Sequence, residues 1–468
     1  MPRILTACIS PEIVAMAHQK GAELIITVDN GISCLAGVES AKALGIQVVI
    51  TDHHLPAEQL PPADAIVNPN QHDCEFPSKS LAGVGVAFYL MMALRSQLQA
   101  IDWFAQNALP APNLANLLDL VALGTVADVV KLDTNNRILV HQGLQRIRAK
   151  KCSAGVNALL KVANKSNADI DAATLGFVLG PRLNAAGRLD DMSLGIQCLL
   201  VEDDYSAIQF ASRLDSLNSE RREIESSMQK DAESFMQKFA LSDAGIPNGI
   251  VLFEESWHQG IIGILAGRVK DKHYRPTIAF AEQDEHILKG SARSIAGLHI
   301  RDLLDELYKR YPDVIDKFGG HAAAAGLTIF RDKLPQFITV FDSLCAEWLE
   351  GVALQDVILS DGPLEQGCFN ITFAQQLKAA GPWGQGFPEP IFDDEFYIIQ
   401  QRIVGDKHLK LVLAKFDGEL VDAIAFNADL TQWPNTAKRA KVAYQLDVNR
   451  FRQRESLQLL VRAIEAVD

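Results

Sequence analysis

Hydrophobic and polar positions in the first third of the chain fall into blocks that alternate between a helical and an extended repeat. Ser10 suits an N-cap, Pro11 the first helical position and Glu12 the positive end of a helix, while Gly21 follows the last periodic residue, so one helix is predicted between them. Residues 23–28 form an apolar run closed by Asp29-Asn30-Gly31. A second helix is predicted over 33–44, stopping at Gly45, and Val48-Val49-Ile50-Thr51 then reads as a buried strand ending in Asp52-His53-His54. Strands alternating with helices build a parallel sheet. Right-handed crossovers place Asp29 and the Asp52-His53-His54 string along one edge, outside the carboxyl ends of the strands, where open sheets bind ligands.

Further along, 113–123 has helical spacing and runs into Gly124-Thr125-Val126-Ala127-Asp128, which sets an acid among apolar neighbours. Apolar residues at Ile208, Ala211, Leu214, Leu217, Ile224, Met228, Phe235 and Phe239 recur every three or four positions and predict one long helix over 205–240, with charge on its other face. A second α/β pattern follows, with strands over 249–253, 277–281 and 287–291 and a helix over 257–272. The stretch 318–326 combines backbone freedom with small side chains. Short runs at 396–404, 407–414, 421–427, 441–446 and 457–461 predict five strands, enough for a small barrel. The expected order is a parallel-sheet α/β domain over 1–200, a connector helix over 201–245, a second α/β domain over 246–350 and a β-barrel over 351–468.

At 468 residues and 48% hydrophobic content the chain has ample material for several packed cores. No segment reads as a bilayer span or a secretory leader, so a soluble cytoplasmic protein is expected. Seven scattered cysteines without a CxxC pair read as reduced thiols. The net charge of −14 argues against nucleic-acid binding through bulk electrostatics, and restricts any such contact to a local basic groove.

Asp29, Asp52, His53, His54 and Asp128 together offer carboxylate oxygen and imidazole nitrogen, a donor mixture suited to Mn²⁺ or Mg²⁺. Two such ions about 4 Å apart can clamp the attacking and leaving oxygens of a phosphoryl displacement. Phosphoester hydrolysis is therefore the leading chemistry. Arg182 and Arg188 either meet phosphate or pin a loop, and Asn184 between them either contacts substrate or a metal-bound water or does the same structural work. Ser291, Arg293 and His321, the last set behind Gly319 and Gly320, read as a phosphate-gripping wall. Trp383 and Phe387, in the loop Gly381-Pro382-Trp383-Gly384-Gln385-Gly386-Phe387-Pro388, either fill a core or stack on bases. Arg450, Arg452 and Arg454 are either a solvated face or the phosphate contacts of a barrel groove.

The order of these motifs, with Asp29 in TVDNG, Asp52-His53-His54, Asp128 in GTVAD, the string GPRLNAAGRLDD from Gly180 to Asp191 and then Gly319-Gly320-His321, resembles the DHH phosphoesterases, and within them the bacterial RecJ exonucleases, from about Ile9 to the C-terminus. The resemblance implies a manganese- or magnesium-dependent 5′-to-3′ exonuclease that releases mononucleotides from single-stranded DNA in repair and recombination. It implies Asp29, His53 and Asp128 as metal ligands, with Asp52 and His54 in the catalytic group as ligand, orienter or phosphate contact. It further implies a DHH-associated domain closing over the strand with Ser291, Arg293 and His321, and an oligonucleotide-binding (OB-like) barrel using Trp383, Arg450 and Arg452. A single-strand-binding protein, a helicase and mismatch-repair factors are the implied partners.

One departure stands out: the family pattern begins with a strand ending in Asp-x-Asp, and residues 1–8 contain no acid. This predicts a truncated or misassigned start, an open apolar face on the sheet and an impaired metal site. Two other readings stay open, a non-catalytic single-strand-binding or scaffold protein descended from a nuclease, and a phosphoesterase of the same superfamily acting on small nucleotides.

Overall fold

The alternating blocks at the start of the chain close into a parallel sheet because each helix carries one apolar face to lay on it. In the computed structural model, residues 9–240, 245–352, 354, 357–405, 408–415, 418–428, 433, 436–451 and 454–467 are described. Ser10 caps the helix Pro11–Gln19 by accepting from the Ile13 amide at 3.4 Å. Strands β1 (Leu24–Val28), β2 (Gln47–Thr51) and β3 (Ala65–Val67) run parallel in that order, with Val28 opposite Thr51 and Thr51 opposite Val67. Val48 and Ile50 are fully buried against Val14, Val38 and Ala41. On β1, Leu24, Ile26 and Val28 stand 47%, 54% and 54% exposed.

Helices complete this part. Gly83–Ala100, Leu118–Ala127 and Thr134–Arg148 pack together, and Gly143 permits the close approach, since a Cβ there would fall 2.2 Å from the Leu118 carbonyl oxygen. The described residues group into two units, one within 1–180, 199–208 and 358–468, the other within 181–198 and 209–357.

In the second unit, 180–189 is a helix rather than a loop, because Leu183, Ala185 and Ala186 give it a buried face. The long helix Asp204–Ala240 is as expected in extent. Its buried stripe differs at the C-terminal end: Met228, Ala232 and Met236 step inward four residues at a time, which leaves Phe235 38% exposed instead of buried. The sheet has the order β4-β5-β6-β8-β7, formed by Ile250–Phe253, Thr277–Glu282, Ile287–Arg293, Ala324–Phe330 and Lys317–Gly320 in that spatial order, with β4 and β5 parallel and the rest antiparallel. Residues 318–326 thus form a hairpin. Gly320 (φ 149°) is required at its turn, where a Cβ would sit 2.5 Å from the Ala324 oxygen. Phe280, Phe337 and Phe341 fill the core on one side, Phe280 edge-on to Phe337 at 5.4 Å.

The C-terminal strands β9 (Phe392–Val404), β10 (His408–Ala414), β11 (Leu420–Ala425), β12 (Arg439–Phe451) and β13 (Arg454–Ala466) form a closed barrel in the order β10-β11-β13-β12-β9. β12 and β13 are longer than their apolar stretches suggest, since pairing continues into the polar hairpin. Tyr444 lies fully buried at the centre beside Phe369 and Phe396, its hydroxyl donating to Asp394 at 2.5 Å. Six cysteines, Cys34, Cys74, Cys152, Cys198, Cys345 and Cys368, are free thiols, and burial pushes Cys152 and Cys198 up to about 11. No helix among the described residues is long and apolar enough to cross a membrane.

Phe337→Ala should destabilise the second unit by about 3–5 kcal/mol, as loss of a buried phenyl ring leaves a cavity. Thermal unfolding followed by calorimetry should show a lower midpoint for this unit, and an unshifted midpoint would contradict its place in the core.

Candidate metal centre

Two strand ends meet at the carboxyl edge of the parallel sheet. The Asp29 amide, just past β1, donates to the Thr51 carbonyl at 2.9 Å, so the β1 and β2 exits lie side by side. Asp29 takes a left-handed backbone (φ 65°), a conformation aspartate tolerates better than most residues, and Gly31 (φ 113°) completes the turn. A Cβ at Gly31 would fall 2.8 Å from Thr27 Oγ1.

Asp52 is 1% exposed and accepts from four donors: the Ile32 amide at 3.0 Å, the His53 and His54 amides at 2.7 and 3.1 Å, and His54 Nδ1 at 2.7 Å. Burial pushes its carboxyl up, but the hydrogen bonds from Ile32, His54 and His53 outweigh burial and hold it below the usual range. Asp52 therefore orients the site from behind rather than facing solvent. Its bond to His54 Nδ1 assigns Nε2 as the nitrogen a cation would take. Asn70 and Asn68, which follow β3, donate to the His53 and His54 carbonyls at 2.6 and 2.9 Å. Neither asparagine is evident from the motif; the Asn68-Pro69-Asn70 turn directly after the apolar run Ala65-Ile66-Val67 is the signal that marks them.

His53 points between two carboxylates. Its Nε2 lies 3.0 Å from Asp29 Oδ1 and 3.5 Å from Asp128 Oδ2, and it is buried without a well-formed hydrogen bond. The Asp29 carboxylate alongside, opposed by burial and helped by Asp128, raises the His53 imidazole above its usual range. Burial raises Asp128 as well, offset in part by His53. Asp128 stands at the C-terminal end of Leu118–Ala127, which fixes it rigidly opposite the strand exits. Ligand atoms of Asp29, His53 and His54 all lie within 4.8 Å of one another. Two oxygens and two nitrogens converging around an unsatisfied buried imidazole fit a divalent cation of the manganese or magnesium type.

A residue without a polar group completes the geometry. Gly83 opens the helix Gly83–Ala100, and a Cβ there would lie 2.4 Å from Asp29 Oδ1. The Asp29 carboxylate thus rests on the positive end of that helix, in space that only glycine leaves open.

The second unit gathers its own polar group. Arg293 Nη1 on β6 donates to Ser291 Oγ at 3.0 Å and to the Ala292 carbonyl at 2.8 Å. Gly263, in the helix Ile262–His273, lies against this pair, since a Cβ there would fall 2.7 Å from Arg293 Nη2 and 2.9 Å from Ser291 Oγ. Arg188 joins them: its Nη1 donates to the Gly260 carbonyl at 2.7 Å, and burial with Arg188 nearby lowers Arg293 below its ordinary value. Arg182 does not join them. It is 8% exposed and its Nε donates to Asp215 at 2.9 Å, so it pins its helix to the long one. Asn184 is exposed on the same helix, and His321 is exposed in the β7–β8 turn, its amide donating to Ala324 at 2.8 Å beside Gly319 and Gly320.

In the loop that leads into the barrel, Trp383 and Phe387 stack on each other at 4.8 Å, with the Arg137 guanidinium 3.7 Å over the Phe387 ring. The Trp383 indole donates to the Leu377 carbonyl at 3.0 Å, and the Leu132 amide donates to Gln385 at 2.7 Å. This loop fastens the barrel to the helix Thr134–Arg148 and its N-terminal approach, so a free two-ring stacking platform is not what it forms. Arg450 is paired with Glu455 and Asp169, and its charge is matched within the protein; Arg454 is exposed, and Arg452 lies outside the described residues.

The chain matches three family descriptions in sequence: the DHH family N-terminal domain over 2–125, the DHHA1 domain over 247–347 and the RecJ OB domain over 360–463. It is 55% identical over 455 residues to the single-stranded-DNA-specific exonuclease RecJ of Dickeya dadantii and 54% identical over 455 residues to that of Escherichia coli, in each case covering 97% of this chain and 79% of the relative. A structure of RecJ from Thermus thermophilus in complex with Mn²⁺ superposes with a TM-score of 0.77 at 27% identity, covering 98% of this chain and 64% of that one. A second, exonuclease RecJ bound to manganese, gives 0.59 at 30% identity over 74% of this chain and 82% of that one. With identity above half across nearly its whole length, the chain belongs to the RecJ family of single-stranded-DNA-specific exonucleases.

Proposed function

We propose that this chain hydrolyses single-stranded DNA at the Asp29–His53–Asp128 cluster, working from the 5′ end and releasing mononucleotides. The observation that carries the reading is the buried His53 Nε2 held between two carboxylates without a satisfying hydrogen bond. Asp29, His53, His54 and Asp128 would hold Mn²⁺ or Mg²⁺, which lowers the pKa of water and neutralises charge on the attacked phosphate. Asp52 keeps His54 in one tautomer and fixes the backbone that presents both imidazoles. The His53 side chain is largely buried, which strengthens its interactions with Asp29 and Asp128, while both carboxylates stay open to solvent and to a substrate. Arg188, Ser291 and Arg293 form a cationic, hydroxyl-bearing cluster suited to a phosphate, with the exposed His321 as a further contact. Action in the cytoplasm on strands exposed during repair, together with a single-strand-binding protein, a helicase or mismatch-repair factors, belongs to the same proposal.

Asp29→Asn, His53→Ala and Asp128→Asn should each lower manganese-dependent release of nucleotides from a single-stranded substrate by at least about 10²-fold, with strand binding retained. Wild-type rates in these variants would remove the cluster from the chemistry. Strand binding without hydrolysis by the parent chain in saturating Mn²⁺ would select the non-catalytic reading.

Gly83→Ala should weaken Mn²⁺ affinity by about 10–100-fold, the usual effect of disturbing the support of a ligand, because the new methyl group displaces Asp29. Titration of free Mn²⁺ by electron paramagnetic resonance reads this directly, and an unchanged affinity would exclude Asp29 as a ligand.

A further inference from the structure

An apolar groove of about 190 Å³ runs from Val126, Ala127 and Val129, the immediate neighbours of Asp128, to Trp383 and Gly384, with Phe177 at its side. Phe177 is 80% exposed although Leu175 and Leu179 on either side of it are fully buried. The reason is local: Leu175–Leu179 is a π-helical turn, and its wider winding carries the middle side chain outward. Gly176 seats that turn against the last turn before Asp128, since a Cβ there would lie 3.2 Å from Val126 Cγ1. Val129 forms the other lip. It is a β-branched residue in left-handed backbone (φ 60°) and 66% exposed, a strained conformation that holds an apolar side chain in water directly beside a metal-ligand candidate.

We propose that this groove is a nucleobase subsite and that Phe177 stacks on a base of the strand whose phosphate lies at the Asp128 end. The occupant follows from continuity, because one end of the groove is built from the residues flanking Asp128, and from chemistry, because a flat aromatic ring beside aliphatic walls accepts any base by its π face. Stacking of this kind needs an unpaired base, so the subsite would contribute to selection of single strands over duplex. The proposal rests on the nuclease reading above and names where its substrate's base goes.

The test compares binding, in chelator to prevent cleavage, of oligothymidylate and of the same-length strand carrying abasic sites throughout. Phe177→Ala should lower affinity for oligothymidylate by about 5- to 150-fold, the effect of one base losing one aromatic face, leave affinity for the abasic strand unchanged, and leave the thermal midpoint unchanged because the ring is exposed. Phe177→Trp should restore oligothymidylate binding. Equal loss on both strands, or no loss on either, would overturn the subsite. Failure of the parent chain to bind either strand would instead count against the nuclease reading.

Discussion

Asp52 is the constraint on which the site depends. A carboxylate that is 1% exposed costs several kcal/mol in lost hydration unless donors replace the water. Here four N–H groups do so, one from the loop after β1 and three from the loop after β2. Their shared acceptor locks the two strand exits together, and the parallel register of Val28 opposite Thr51 brings those exits level. Asp29, His53 and His54 inherit their positions from this lock. Asp52 is thus the residue whose removal would leave several amides unsatisfied at once, with Asp29, His53 and His54 losing their support together.

Around that lock, the molecule keeps strain and close approach where chemistry needs them. Asp29 and Val129 are both left-handed, each beside or within the carboxylate cluster, and Gly83 leaves room that any side chain would take from Asp29. Burial, with a smaller push from the Asp29 charge and an opposing pull from His53, raises Asp128 above the usual carboxylate range. Rigid elements hold the two carboxylates there, one at the end of a strand and the other at the end of a helix. The net charge of −14 is compatible with a nucleic-acid enzyme, because basic groups need only be concentrated locally. Arg188 and Arg293 form such a local concentration of positive charge.

Much of this was legible in the sequence because strand ends and helix ends carry strong local signals. The alternation over 10–54 predicts the parallel sheet, and the sheet alone places Asp29 beside Asp52-His53-His54. The division of labour within Asp52-His53-His54 was not legible, since three adjacent residues differ only in which way the backbone turns them. Gly83 was invisible for a related reason: its role is the volume it does not occupy. Phe235 fits the apolar spacing yet faces outward, because a 37-residue helix accumulates drift and the buried row passes to Met236. Trp383, Phe387 and Arg450 pointed to a strand-binding surface by composition, whereas their partners Arg137, Asp169 and Glu455 lie far away in sequence or across a hairpin. Pairings of that kind come only from tertiary structure.

The central claim is that Asp29, His53 and Asp128 share one divalent cation. Anomalous diffraction at the manganese edge, from crystals of this chain grown in Mn²⁺, tests it most directly. The account predicts a peak within bonding distance of Asp29, His53 Nε2 and Asp128. Manganese bound elsewhere, with His53 still lodged between two unliganded carboxylates, would contradict it.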